Sequence, residues 1–216
     1  METRRSAADD AHGRAHLRDL GVSRETEERL VCYADLLRRW TRTVNLVSAS
    51  TRNDLWSRHI LDSLQLWSLA PPATGLWLDI GTGGGLPGLV CAIMAAERAP
   101  HLEFVLVESD KRKCAFLATC LRELGITASL RPSRIEEIAP LAAGVISARA
   151  VAPLATLFSL SAPHASPETT LLLPKGVRHA EEIAVARARW RFTVEAHPSI
   201  TDPEARILRC HLQGRI

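Results

Sequence analysis

Hydrophobic residues recur at two different spacings along this chain, and the change falls at the double proline Pro71-Pro72. Before the prolines, apolar residues return every three or four positions from Ser23, a suitable N-cap, to Trp40. A second stretch with this spacing, HILDSLQLWSLA, ends at the prolines. The spacing predicts two amphipathic helices. Residues 1 to about 20 are polar and predict a loose leader.

Beyond the prolines, short β-rich runs alternate with helical stretches. This alternation is typical of βαβ units and predicts an α/β fold with a doubly wound, mostly parallel sheet. The last two runs have no convincing helix between them, which favours an antiparallel edge pair. The runs are LWLDI, LEFVLVE, TASL, AGVIS, TLLLPK, RFTVEA and RILRCHL. The predicted organisation is a leader (1–20), a helical extension (21–72) and a Rossmann-like domain (73–216).

Composition narrows the function classes. The chain has 216 residues, 46% of them hydrophobic, and is long enough to bury a sizeable core. It has no apolar run of about 18 residues and no secretory signal pattern, so we expect a cytosolic protein without a membrane span. Its five cysteines are scattered and include no C-x-x-C pair, which argues against disulfides and zinc. The formal net charge of +3 permits a nucleic-acid partner without requiring one.

The stretch LDIGTGGGLPG, Leu78 to Gly88, is the main candidate for a nucleotide site. Missing Cβ atoms let a ligand approach the backbone, and the helix that follows offers free N–H groups. Gly83-x-Gly85-x-x-Gly88 fits a dinucleotide fingerprint, so the loop alone leaves NAD or FAD open. Asp79 favours another ligand, because a carboxylate repels a pyrophosphate and attracts the sulfonium and ammonium groups of S-adenosylmethionine.

Acidic residues also follow the next two β-rich runs. Glu108 ends LEFVLVE about twenty residues after the loop, where an acid accepts hydrogen bonds from ribose hydroxyls. SRIEE, Ser133 to Glu137, follows the third run and lies on the same rim of the predicted sheet, within reach of an adenine. The two acidic segments and the loop together predict a nucleotide-like cofactor across the strand ends.

The loop DIGTGGGLPG, together with VISARA, PKG, NLVSAS and RHILDSL, resembles the RsmG family, also called GidB. The resemblance runs from about Leu36 to the end of the chain. It implies a class I S-adenosylmethionine-dependent methyltransferase that methylates N7 of a guanine in bacterial 16S rRNA of the small ribosomal subunit. The family often has proline where Gly84 stands, so we expect a looser loop here. The implied cofactor contacts, including those of the wider methyltransferase pattern, are Asp79, Gly81, Gly83, Gly85, Leu86, Glu108, Ile135, Glu136 and Arg149.

Guanine N7 has a lone pair and no proton to lose, so its methylation needs positioning more than acid–base catalysis. The region after the fourth run has no (D/N)-P-P-(Y/F) patch for an exocyclic amine, and Cys120 lies in a predicted helix away from the rim. Arg149 is the predicted catalytic residue. Its guanidinium can clamp the base, a phosphate or the cofactor's carboxylate, and a surface ion pair is the alternative interpretation.

For RNA, the predicted contacts are Arg58, His59 and Lys175, and we expect the protein to act as a monomer. His59 is equally suited to a structural role. Trp40 lies on the apolar stripe of its helix, which favours core packing over base stacking. Weaker candidates, at predicted helix ends, are Arg38, Arg39, Arg42 and Lys111 to Lys113.

Three other interpretations remain open from the residues. The protein could methylate another rRNA base or a small molecule. It could be an NAD-dependent oxidoreductase, although Asp79 counts against a pyrophosphate. It could be a noncatalytic RNA-binding or assembly factor with a relic nucleotide fold, although the intact loop and Glu108 argue against such decay.

Overall fold

Seven strands form one sheet in the computed structural model, which describes residues 2–71 and 75–216. The strands are β1 (Gly75–Ile80), β2 (Leu102–Val107), β3 (Ser129–Arg131), β4 (Ala143–Ser147), β5 (Ala165–Lys175), β6 (Trp190–Pro198) and β7 (Arg206–Arg215). Their order is β3-β2-β1-β4-β5-β7-β6. The first five strands pair in parallel, and β7 is antiparallel to both β5 and β6. The predicted α/β class and the pairing of the last two strands are confirmed.

The strand order creates a place for a ligand. The chain runs outward from β1 to β3 and then returns to β4 on the other side of β1. The connections after β1 and β4 therefore diverge, which opens a crevice at the carboxyl ends of these two strands. The glycine loop follows β1, and Arg149 follows β4.

Helices cover both faces of the sheet. They are α1 (Glu2–Asp19), α2 (Arg24–Trp40), α3 (Leu61–Leu69), α4 (Gly88–Arg98), α5 (Lys111–Leu124), α6 (Leu154–Ser161) and α7 (His179–Arg187). Short 3-10 turns lie at Ala49–Thr51, Ile135–Glu137 and Ala162–His164, and a π-helical turn, Trp56–Ile60, leads into α3. Side chains alternate along each strand, so Trp77 joins the core under α2–α5 and Leu78 joins the core under α6 and α7. No helix in the described ranges is long and apolar enough to cross a membrane.

The N-terminal segment differs from the loose leader expected from its polarity, because the structure has helix α1 there. Leu17 is fully buried in the core under α2–α5. The Asp9 carboxylate accepts hydrogen bonds from the backbone N–H groups of Trp56, at 2.7 Å, and Ser57, at 3.0 Å. Leu17, the Asp9 carboxylate and Gly13, which lies close against Trp56, anchor the helix, and such a sparse pattern is hard to recognise in a polar sequence.

The helical extension packs against α4 and α5, two of the helices that cover the sheet. As predicted, Ser23 is the N-cap of α2, and its hydroxyl accepts a hydrogen bond from the Thr26 N–H. Glu97 of α4 accepts hydrogen bonds from the Ser23 N–H, at 3.0 Å, and the Thr26 hydroxyl, at 2.5 Å. The predicted boundary at Pro71-Pro72 is described only at Pro71, because Pro72 lies outside the described residues.

Candidate active site

The glycine loop leaves the carboxyl end of β1 and leads into α4. Gly81, Gly83 and Gly85 have φ values of 65°, 58° and 87°, in the left-handed region where a side chain is strained. At Gly81 there is also no room, since an added Cβ would lie 2.7 Å from Cγ2 of Val151. The backbone of the loop therefore has to be bare where it faces the crevice.

Glu108 follows β2 and holds the loop from one side. Its Oε2 accepts a hydrogen bond from the Gly83 N–H at 2.9 Å, and its Oε1 accepts one from the Asp110 N–H at 2.8 Å. Each carboxylate oxygen keeps a further lone pair, so the group can still accept ribose hydroxyls. Glu108 also lines a cavity of about 140 Å³, which we call the cofactor cavity.

The cofactor cavity brings together four of the residues predicted to bind the cofactor. Gly81, Glu108, Ile135 and Glu136 all line it. Ile135 and Glu136 belong to the 3-10 turn after β3, and the Ile135 side chain is buried. One wall is therefore apolar, and the carboxylates lie on the others.

Asp79 lies beneath the loop and does not reach the cofactor cavity. Its Oδ2 accepts a hydrogen bond from the Gly88 N–H at 2.9 Å, its Oδ1 accepts one from the Ser147 hydroxyl at 2.5 Å, and the side chain is 0% exposed. Burial raises the pKa of Asp79 to about 6, and the hydrogen bonds from Ser147, Thr82 and Gly88 oppose this rise. The expectation that Asp79 touches the cofactor does not fit this geometry; instead, Asp79 fixes the start of α4 against β1.

Two other loop residues predicted to bind the cofactor face the core. The Leu86 side chain is buried under α2–α5, and its N–H donates to the Thr82 carbonyl at 2.9 Å. The Gly85 N–H donates to the same carbonyl at 2.8 Å, and a Cβ there would lie 2.9 Å from Leu89. Neither residue lines the cofactor cavity, so both shape the loop from behind.

The loop is also held by α2, contrary to the looser loop expected from Gly84. The Tyr33 hydroxyl donates a hydrogen bond to the Gly84 carbonyl at 2.6 Å. A Cβ on Gly84 would lie 3.2 Å from Leu37 and 3.4 Å from the Leu46 carbonyl. This close packing replaces the stiffness that a proline would supply.

Arg149 turns away from the cofactor cavity and towards the segment before α3. Its Nη1 donates to Asp62 Oδ2 at 3.0 Å, and its Nη2 lies 3.0 Å from Nδ1 of His59. The ion pair is largely buried, with 16% of either side chain exposed. An ion pair was the alternative interpretation, but this one lies at the carboxyl end of β4 and lines a second cavity.

His59 is a neutral member of this cluster. Burial, then the charges of Arg149 and Arg58, lower its pKa to about 3. Because Arg149 donates to Nδ1, the ring proton lies on Nε2, which donates to the Thr51 hydroxyl at 2.8 Å. His59 is therefore not a cation available to a phosphate.

The second cavity, which we call the substrate cavity, has a volume of about 480 Å³ and lies at the carboxyl ends of β4 and β5. It brings together Arg58, Arg149 and Lys175, and Val151 lines both this cavity and the cofactor cavity. The two cavities are thus neighbours across one side chain.

Two of these predicted RNA contacts have protein partners. The Lys175 amine donates to the Ala152 carbonyl at 2.7 Å and pairs with Glu182 at 2.8 Å, and only 8% of its side chain is exposed. Lys175 is therefore committed to the protein, against the expectation of an RNA contact. Arg58 pairs with Asp202 at 3.1 Å but keeps 43% of its side chain exposed.

The weaker RNA candidates lie elsewhere. Arg38 pairs with Asp10 at 2.7 Å, while Arg39 and Arg42 line a separate groove of about 960 Å³ between α1 and α2. Lys111 to Lys113 form the start of α5. Trp40 packs on Phe116 with ring centroids 5.7 Å apart, which confirms the core interpretation.

Sequence reasoning missed Asp62 and Val151. Asp62 lies on α3, and no spacing in the sequence indicates that it meets an arginine 87 residues away. Val151 is an apolar residue in a loop, and only its position over Gly81 makes it part of the site. The only sequence signal for Asp62 is its place in RHILDSL, one of the segments that carry the family resemblance.

A sheet of this order, with a glycine loop after β1 and an acid after β2, defines the class I S-adenosylmethionine-dependent methyltransferases. A SAM dependent methyltransferase from Aquifex aeolicus has the same fold, with a TM-score of 0.57, 12% sequence identity, and coverage of 78% of this chain and 96% of that chain. The model of the rRNA small subunit methyltransferase G family matches residues 26–208. The chain belongs to this family, as the sequence motifs predicted.

Relatives of this chain carry the same family name. Ribosomal RNA small subunit methyltransferase G of Cereibacter sphaeroides is 52% identical over 197 residues, which covers 91% of this chain and 95% of the relative. The protein of that name from a Ruegeria species is 46% identical over 197 residues, with coverage of 91% and 95%. The similarity therefore extends over nearly the whole chain.

Proposed function

We propose that the protein transfers a methyl group from S-adenosylmethionine to N7 of a guanine in 16S rRNA of the small ribosomal subunit. The observation that carries the proposal is the adjacency of the cofactor cavity and the substrate cavity, which share Val151. The names of the relatives support ribosomal RNA as the substrate. The choice of N7 rests on the family resemblance and is compatible with the chemistry of the site.

The residues of the cofactor cavity fit S-adenosylmethionine, which supplies an electrophilic methyl group on its sulfonium. Glu108 has lone pairs for ribose hydroxyls, and Ile135 offers an apolar surface for an adenine. Gly81 leaves its backbone open where a Cβ would collide with Val151. Asp79 lies beneath the loop, where burial raises the pKa of its carboxyl to about 6.

The substrate cavity is suited to positioning rather than proton transfer. Both ring nitrogens of His59 are engaged, Nδ1 by Arg149 and Nε2 by Thr51, so the imidazole is not placed to act as a general base. Attack by N7 of guanine needs no base, because that atom has a lone pair and loses no proton. The cluster therefore supports transfer to a ring nitrogen that carries no hydrogen.

Arg149 is the proposed catalytic residue of the substrate cavity. Asp62 and His59 fix its orientation, and its Nε makes no hydrogen bond within the described residues. A fixed guanidinium with a free N–H edge suits a neutral base oxygen, which does not compete with the Asp62 carboxylate. Its orientation costs little at the moment of binding, because the ion pair has already immobilised the side chain.

We also propose that the protein works in the cytoplasm. All five cysteines are free thiols, and four of them are buried. Free thiols in this number are typical of a reducing compartment, where the small ribosomal subunit is also found.

The test is transfer of labelled methyl from S-adenosylmethionine to small subunits purified from cells that lack this protein, followed by nuclease digestion and mass analysis. We expect one new nucleoside, 7-methylguanosine. Arg149→Ala should lower the rate by about a hundredfold, because misplacement of the reactants has an effect of that size. Arg187→Ala removes an exposed arginine at the far end of α7, over the Phe192 ring and outside both cavities, and should retain the native rate.

Two results would contradict the proposal in different ways. Binding of S-adenosylhomocysteine without label in the RNA would retain the cofactor and exclude this substrate. Binding of NADH without binding of S-adenosylhomocysteine would exclude the cofactor as well.

A further inference from the structure

The cations of the substrate cavity are not equivalent. Within the described ranges, four line it, and three of them face a carboxylate: Arg58 with Asp202 at 3.1 Å, Arg149 with Asp62 at 3.0 Å, and Lys175 with Glu182 at 2.8 Å. The fourth, Arg178, is exposed and makes no hydrogen bond or ion pair through its side chain in the part of the chain that the structure describes. Four cations against three carboxylates leave one positive charge, and it belongs to Arg178.

The position of Arg178 does not require an arginine for the fold. The residue is the N-cap of α7, and its carbonyl accepts a hydrogen bond from the Glu182 N–H at 3.0 Å. Its side chain makes no capping hydrogen bond. The backbone alone therefore performs the structural role, and the guanidinium remains available to a ligand.

We infer that Arg178 binds a phosphate group of the RNA strand that carries the target guanine. This inference rests on the proposed function and names a contact within the same cavity. A phosphate that approached Arg58, Arg149 or Lys175 would compete with a carboxylate already in place. At Arg178 no such competition exists, and a guanidinium binds phosphate oxygens bidentately.

Two acidic residues lie in the first turn of α7 beside Arg178: Glu182 is paired with Lys175 at 2.8 Å, and Glu181 does not line the substrate cavity. Arg178 follows Lys175 and Gly176 in the turn between β5 and α7, and this turn lines the same cavity as Arg149. Val177 is 65% exposed and offers an apolar surface beside the charge. An RNA strand presents both kinds of group, phosphates and base faces, to such a surface.

The test uses Arg178→Gln, Arg178→Lys and Arg189→Gln in the full-length protein. Arg189 lies beyond the other end of α7, is exposed, has no partner for its side chain within the described residues and does not line the cavity. Arg189→Gln thus removes the same charge from a similar environment. Methyl transfer to small subunits and filter binding of 16S rRNA are measured between about 50 and 200 mM salt, the range over which phosphate contacts lose affinity.

We expect Arg178→Gln to raise KM for the subunits and Kd for 16S rRNA by about three- to tenfold. It should also reduce the slope of log affinity against log salt by about 1, because one phosphate contact is lost. Arg178→Lys should retain the slope, since the charge remains. Arg189→Gln should match the native protein, and binding of S-adenosylhomocysteine should be unchanged in all three variants.

The outcomes separate the inference from the proposed function. Native protein that methylates the subunits, with Arg178→Gln equal to Arg189→Gln in KM and salt slope, would overturn the phosphate contact and leave the proposed function intact. Native protein that binds S-adenosylhomocysteine but neither binds nor methylates the RNA would overturn both.

Discussion

At the scale of single residues, two carboxylates fix the conformation of the glycine loop, whose glycines have no side chains to hold it. Asp79 accepts a hydrogen bond from the Gly88 N–H, and Glu108 accepts one from the Gly83 N–H. Glycine-rich backbone has many accessible conformations, and each of these bonds removes part of that freedom. The loop is therefore fixed from below and from the side, with the face towards the crevice left open.

Gly81→Ala tests whether the loop requires glycine at this position because space is limited or because φ is left-handed. We expect it to lower the affinity for S-adenosylhomocysteine at least about tenfold, because the new Cβ would displace Val151, 2.7 Å away, at the wall of the cofactor cavity. Its left-handed φ of 65° adds strain of about 1–2 kcal/mol for a residue with a Cβ. Isothermal titration calorimetry and thermal unfolding measure the two effects separately.

Gly125→Ala is the matched control, since Gly125 has a φ of 62° and no atom within 4 Å of an added Cβ. It should lose a similar amount of stability to strain and retain native affinity. Equal affinities for S-adenosylhomocysteine in the two variants would mean that Val151 moves without cost and that its position in the wall of the cofactor cavity does not affect binding.

Sequence reasoning at this scale located the strand-end residues but not the groups they face. Asp79 is the last residue but one of a β-rich run and Glu108 ends the next run, and both were expected to touch the cofactor. Glu108 lines the cofactor cavity, whereas Asp79 is buried against Ser147, a residue 68 positions away. The direction of a strand-end side chain depends on such distant partners, which no local pattern encodes.

At the scale of elements, the π-helical turn Trp56–Ile60 connects the N-terminal helix to the substrate cavity. The turn carries Arg58 and His59, and Arg149 binds it from the end of β4. On the other side, the Asp9 carboxylate of α1 holds the first two N–H groups of the turn. Helix α1 therefore acts on the substrate cavity without lining it.

Asp9→Ala should destabilise the protein and disturb the substrate cavity at the same time. It leaves the N–H groups of Trp56 and Ser57 without their acceptor, one of them buried, at a cost of about 1–3 kcal/mol. We expect kcat/KM for small subunits to fall severalfold while the affinity for S-adenosylhomocysteine stays near native. Urea unfolding and the methyl-transfer assay measure the two effects.

Asp10→Ala provides the comparison on the same helix. Asp10 pairs with Arg38, 35% of its side chain is exposed, and Arg38 keeps a second partner in Asp35. Its removal should cost less than about 1 kcal/mol and leave methyl transfer unchanged. If the two variants behaved alike, α1 would be no more than a surface helix.

Elements with a continuous apolar stripe could be predicted, and those with isolated anchors could not. The predicted helix from Ser23 to Trp40 matches α2 closely. Helix α1 was expected to be loose, because its burial depends on Leu17 and on the hydrogen bonds of Asp9. A polar helix held by a few long-range contacts has no periodic signature.

At the scale of the whole molecule, the change of pattern at the double proline does not divide the packing. One hydrophobic core contains Leu30 and Leu37 of α2 together with Leu89 of α4 and Phe116 of α5. Alternating strands and helices predicted the fold class because each βαβ unit is local in sequence. The order of β5, β7 and β6 follows from long-range pairing and could not be predicted from the same alternation.

The shared core leads us to expect that the helical extension and the sheet unfold as one unit. Amides of α2 and β4 should therefore show the same free energy of opening in native-state hydrogen exchange, measured by mass spectrometry. S-adenosylhomocysteine at a hundred times its Kd should raise both by about 2.7 kcal/mol, because it binds only the folded state. The Tyr33 hydroxyl links α2 to the glycine loop directly, because it donates a hydrogen bond to the Gly84 carbonyl.

Tyr33→Phe removes this hydrogen bond and retains the ring in the core. The loop would lose one of its fixed points, so the affinity for S-adenosylhomocysteine should fall severalfold, while a single common opening persists because the apolar packing is unchanged.

If the ligand protected β4 and left the exchange of α2 at its original rate, the two parts would be separate cooperative units. In that case the helical extension and the sheet domain would unfold independently, with a boundary where the sequence pattern changes.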